Sequence, residues 1–151
     1  MTEAATPLAL SFASWDHDRV MALHDGRVTV PGVRLDSVIE TTQKLFPLAV
    51  STAPHDITEM SISSYVLQTS RGEGAYTAIP AFVSRAFRHQ GFFARAGSGI
   101  HSPADFAGKR IGVPEYQMTA ALWMRGILRD DFGVRAEDIH WRTGALDQGV
   151  R

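Results

Sequence analysis

The chain is 151 residues long, 44% hydrophobic and 21% charged, with a formal net charge of −1. That length suits one ordinary domain or one and a half small ones, and the composition is that of a globular protein. The balanced charge gives no basic footprint for nucleic acid and no polybasic surface for membranes, and the lack of cysteine excludes disulfides and thiolate chemistry.

No apolar run approaches the ~20 residues that cross a bilayer. The opening stretch Met1-Thr2-Glu3-Ala4-Ala5-Thr6-Pro7 has neither the basic nor the apolar region of a secretory leader, so the expected location is the cytoplasm. Leu8 to Ser14 reads as a buried strand. Asp16 is placed to cap a helix that runs to about His24 and stops at Asp25-Gly26. After the Pro31-Gly32 turn, Val33 to Ile39 alternates like a strand, and Thr41 or Thr42 caps a helix that must accommodate Pro47.

Asp56 to Ser61 predicts a short strand, and Tyr65 opens a helix ending near Arg71-Gly72. Ala75 to Ile79 and Arg88 to Arg95 read as two further strands. Ser102-Pro103-Ala104-Asp105 is a helix start, with Ser as cap and Pro in the first turn. Arg110 to Val113 is a strand, and Gln117 to about Asp131 a helix with Ala120, Ala121, Met124, Ile127 and Leu128 on one face. Ile139-His140-Trp141 begins one more strand. Strand–helix alternation of this kind predicts an α/β fold, a mostly parallel sheet with crossover helices. Gly97-Ser98-Gly99 is the candidate boundary, giving a first lobe over 1–95 and the start of a second over 96–151.

Phosphate-binding motifs fail on inspection. Gly97-Ser98-Gly99 lacks the third glycine of a dinucleotide fingerprint, and Gly108-Lys109 is followed by Arg110 without a P-loop's upstream glycine. The six histidines, 17, 24, 55, 89, 101 and 140, form no metal-binding spacing. Asp16 and His17 could join a scattered metal site, but the plain reading of these histidines is surface or helix-cap residues. No metal ligands and no cofactor are predicted, and metal dependence stays open.

Three segments carry candidate chemistry. Arg85 and Arg88 beside His89 offer a carboxylate clamp and a proton donor, or simply a solvated strand face. Glu115, Tyr116, Gln117 and Thr119 lie between a strand end and a helix start, where ligands of open α/β sheets bind and free N–H groups favour an anion. Glu59, Ser61, Ser63 and Ser64 share that strand-to-helix setting, with helix capping as the plain alternative.

These segments together resemble the 4,5-dihydroxyphthalate decarboxylase family. The resemblance runs through Arg19, Leu23, Asp25-Gly26-Arg27-Val28, Glu59 to Tyr65, Ala78-Ile79-Pro80 and Ser84 to His89. Its longest block is Gly108 to Ala121, continuing into Trp123 to Leu128 and Ile139-His140-Trp141. It implies the two-lobed fold of type II periplasmic binding proteins, with the second lobe incomplete at Arg151. It also implies loss of one carboxylate from 4,5-dihydroxyphthalate to give protocatechuate in phthalate breakdown.

The chemistry of that substrate then suggests roles. Arg85 and Arg88 would hold the carboxylates and His89 would deliver a proton. Glu115 or Glu59 would take the phenolic proton, and Ser61, Ser63, Ser64, Tyr116, Gln117 and Thr119 would line the site. The expected partner is a small aromatic dicarboxylate, with a homo-oligomer or a C-terminal half as the protein partner. The 151-residue chain alone is expected not to turn over. The rival reading is a solute-binding module, for a transporter or as a sensor, that captures an aromatic or thiamine-precursor-like ligand without catalysis. A third is an inactive stand-alone product.

Overall fold

The computed structural model describes residues 6–144. It divides into two compact units between Arg85 and Ala86. The sequence reading puts the lobe change at 95/96. The difference arises because Arg88–Gly91 forms a 3₁₀ turn packed on a helix of the second unit, so this stretch groups with the chain after it.

The first unit is a three-stranded parallel sheet in the order β2-β1-β3. β1 is Leu8–Ser14, β2 Val33–Ile39 and β3 Ile57–Thr58. Leu8 pairs with Val33 at one end and Ser14 with Ile39 at the other, while Phe12 and Ala13 pair with Ile57 and Thr58. The crossovers are α1, Asp18–His24, and α2, Thr42–Ser51. α3, Ile62–Ser70, comes after β3. As the central strand, β1 buries Phe12, Ala13 and Ser14, which are covered from both sides.

Local chemistry explains where these elements depart from expectation. α1 starts after His17, not Asp16, because the His17 carbonyl accepts the first helical N–H groups, from Val20 and Met21. α2 runs through Pro47, its packing carried by Leu45 and Ala49, which lie almost wholly buried on either side of the proline. β3 is only a pair of residues, extended by one ladder bond from Glu59 N–H to the Ala13 carbonyl. The chain then turns, and α3 begins at Ile62 rather than at Tyr65.

Ala75 to Ile79 is not a strand. Its neighbourhood is held by side chains: Tyr65 Oη accepts the Ala78 N–H at 3.2 Å, and Tyr76 Oη donates to the His55 carbonyl at 2.8 Å. Arg88 to Arg95 is not a strand either. Gly91 brings the 3₁₀ turn against Met124, where an added Cβ would lie 3.3 Å from the methionine methyl.

The second unit pairs β4, Arg110–Val113, in parallel with β5, His140–Thr143. α4, Thr119–Phe132, crosses between them. Before β4, Ser102 and Asp105 form the expected capping box, but over a short 3₁₀ turn, Pro103–Phe106. Asp105 accepts the backbone N–H groups of His101 and Ser102, each at 2.8 Å, and these bonds hold its carboxyl below the usual range. Gly133, left-handed at φ 69°, ends α4 and lets Val134 N–H reach back to the Leu128 carbonyl. Phe106, Leu128, Val134 and Ile139 form the core, with Phe92, Ile100, Ile111 and Trp141 packed around it. Of the expected α4 face, Ala121, Ile127 and Leu128 are buried, while Ala120 and Met124 border a shallow hollow.

Candidate functional site

In a parallel sheet every strand ends on the same edge, and polar groups collect there in the first unit. Ser14 ends β1, with Trp15 next; Glu59 comes directly after β3. The Glu59 side chain is 5% exposed. Its Oε2 accepts the Trp15 backbone N–H at 3.1 Å, and His17 Nε2 lies 3.1 and 3.2 Å from its two oxygens. A buried carboxylate is tolerable only with such partners. Beside it, at the start of α3, the hydroxyls of Ser61 and Ser63 meet at 2.9 Å in the interior, and Ser64 is half-buried.

A second histidine, at the end of α1, ties the same edge together. His24 Nε2 is 2.8 Å from Ser14 Oγ and its Nδ1 is 2.5 Å from Ser37 Oγ, while its ring stacks on Phe12 with centroids 4.8 Å apart. Ser14 Oγ donates to the Trp15 carbonyl, so it accepts from Nε2–H, and Ser37 donates to Nδ1. That neutral tautomer satisfies every group. Burial lowers the His24 pKa, opposed by the nearby Asp25 carboxylate.

In the second unit the loop after β4 is more open. Glu115, Tyr116 and Gln117 are exposed, and Thr119 opens α4. Arg125 braces the loop: its guanidinium lies 3.8 Å from the Tyr116 ring centroid and donates to the Tyr116 carbonyl at 2.7 Å. The Tyr116 ring also meets Trp141 edge-on at 5.7 Å. Half-buried Arg88 borders the shallow hollow with Gln90, Gly91, Ala120 and Met124. His89 is exposed, 3.7 Å from Asp131. Arg85, in the first unit, is exposed and donates from Nε to the Phe82 carbonyl at 3.1 Å.

The structure therefore gathers Glu59 with Ser61 and Ser63, and it sets Arg88 beside Ala120 and Met124 in the first turns of α4. Sequence reasoning weighed His17 only as a member of a scattered metal site and passed over Trp15 as a site residue. The available signal was their place directly after the first parallel strand. Among the described residues, no three His, Asp or Glu side chains gather as a metal site, and no helix is long and apolar enough to cross a membrane.

A protein named 4,5-dihydroxyphthalate decarboxylase from Comamonas testosteroni is 46% identical over 144 residues, covering 95% of this chain and 44% of that protein. One of the same name from Pseudomonas putida is 43% identical over 144 residues, covering 95% of this chain and 56% of that protein. The chain thus spans about half the length of the curated relatives it matches. The family model described as NMT1/THI5 like matches residues 50–145, which take in β3, α3 and the parallel β4-α4-β5 unit. The chain belongs to the NMT1/THI5-like family, and its α/β architecture is of the type II periplasmic-binding-protein class.

Proposed function

We propose that the protein decarboxylates 4,5-dihydroxyphthalate, or a closely related aromatic acid, to protocatechuate. The observation that carries this reading is the 46% and 43% identity to two proteins of that name across 95% of the chain. In this substrate a hydroxyl lies para to a carboxylate. Loss of the phenolic proton pushes electron density to the carbon bearing that carboxylate, and protonation there lets carbon dioxide leave. The reaction asks for cations against carboxylates and for groups that move protons out of bulk water.

The first unit supports the second requirement. Glu59 sits desolvated and hydrogen-bonded at the strand ends, whereas Glu115 and His89 are exposed to water. We therefore favour Glu59 for the proton-handling machinery, with Ser61, Ser63 and Ser64 beside it. Arg85 and Arg88 are each proposed to hold a carboxylate, with Tyr116, Gln117 and Thr119 as polar lining. Cytoplasmic residence belongs to the same reading and is checked by cell fractionation. The activity is tested by incubating the whole protein with 4,5-dihydroxyphthalate and following gas release and aromatic product. One equivalent each of carbon dioxide and protocatechuate is expected. Saturable binding without carbon dioxide would overturn the reading and make the protein a solute-binding module.

A further inference from the structure

We infer that His17 is the proton-transfer residue of the first unit and that Glu59 positions it; this deepens the decarboxylase reading and rests on it. Three observations meet here. Glu59 is almost fully buried, so its carboxylate faces protein donors and not a ligand. Both of its oxygens lie by His17 Nε2, which fixes the neutral ring with its proton on Nε2 and its lone pair on Nδ1. His17 Nδ1 has no partner among the described residues, and the only buried side-chain polar atom left unpartnered there is Ser98 Oγ, so Nδ1 is open to solvent or a ligand.

A buried carboxylate behind an imidazole whose far nitrogen is free is an arrangement for moving protons. Glu59 sets the tautomer and holds the ring in place; His17 meets the ligand. The site lies beyond the ends of β1 and β3, next to Ser61 and Ser63, where a parallel sheet receives ligands. In the step assigned to it, His17 as imidazolium gives its Nδ1 proton to the ring carbon that bears the carboxylate. The new C–H bond takes an electron pair from the ring. The bond to the carboxylate carbon then breaks, its pair restores the aromatic ring, and carbon dioxide leaves. His17 is left neutral and takes a proton from water, so one proton is consumed per turnover.

The experiment uses the whole protein and two readouts. In the first, His17→Gln is compared with wild type for carbon dioxide release and for the Kd of 4,5-dihydroxyphthalate. The expected result is a rate loss of about 100-fold or more with Kd changed less than about threefold. A His17→Gln rate within threefold of wild type would overturn the inference. The second readout needs neither turnover nor a variant: ¹⁵N spectra of wild-type His17 as 4,5-dihydroxyphthalate is added. The neutral ring is expected to carry its proton on Nε2, and the Nδ1 resonance to shift on ligand addition. A neutral ring with its proton on Nδ1 and none on Nε2, or no shift at saturation, would overturn the inference. Should wild type release no carbon dioxide, the decarboxylase reading falls by itself, and the ligand-induced Nδ1 shift still decides whether His17 meets the ligand.

Discussion

Both units use parallel strands joined by a crossover helix, yet they bury different things. The first hides four polar residues, Ser14, Glu59, Ser61 and Ser63, all where β1 and β3 end. The buried residues described in the second are all hydrophobic: Phe106, Val113, Ala121, Ile127, Leu128, Val134 and Ile139. Burying a polar group costs free energy unless partners are built for it, so a fold concentrates such groups where they serve a purpose. The second unit answers to packing, and its polar candidates are half-buried, as Arg88 and Thr119 are, or exposed, as Glu115, Tyr116, Gln117 and His89 are. On the function proposed above, proton chemistry falls to the first unit and carboxylate binding by Arg88 to the second.

Three substitutions sharpen that contrast. The largest effect on stability is expected at Leu128, 1% exposed in the core of the second unit. Leu128→Ala should cost about 2–5 kcal/mol in chemical denaturation. A loss under about 1 kcal/mol would mean that this core does not hold the unit together.

Next comes Arg88. If it holds a carboxylate, Arg88→Ala should weaken binding of the dicarboxylate by about 10- to 100-fold and leave the neutral ester unchanged. Equal losses for acid and ester would show that Arg88 only shapes the hollow beside α4.

The smallest effect concerns His24. Burial lowers its pKa from the ordinary 6.5, so the native state binds fewer protons than the unfolded state around that pH. The stabilisation is fully present above pH 6.5 and is lost as pH falls below it toward the lowered native value. Melting temperature should fall by a few degrees between about pH 7.5 and 5.5, and His24→Gln should flatten part of that slope. An unchanged slope would show that the Ser14–His24–Ser37 cluster does not discriminate against the charged ring.

Much of the fold could be read locally. β1, β2 and β4 coincide with their sequence ranges because a buried or alternating apolar run is a property of the segment itself. The capping box at Ser102 and the glycine after α4 are equally local. Ala75 to Ile79 and Arg88 to Arg95 have strand-like patterns but no ladder, since a strand exists only beside a partner that the segment does not contain. The site divides in the same way. Glu59 and its serines stood out by their strand-to-helix setting. The bond from Glu59 to His17 joins residues 42 apart, made neighbours only by the register of β1 with β3.

Paired carboxylate substitutions test the contrast most directly. Carbon dioxide release from 4,5-dihydroxyphthalate is measured for the whole protein as wild type, Glu59→Gln and Glu115→Gln. A loss of about 100-fold or more is expected at Glu59 and a rate within about threefold of wild type at Glu115. A full rate at Glu59 with a collapse at Glu115 would contradict that contrast, placing the proton chemistry on the open loop of the second unit.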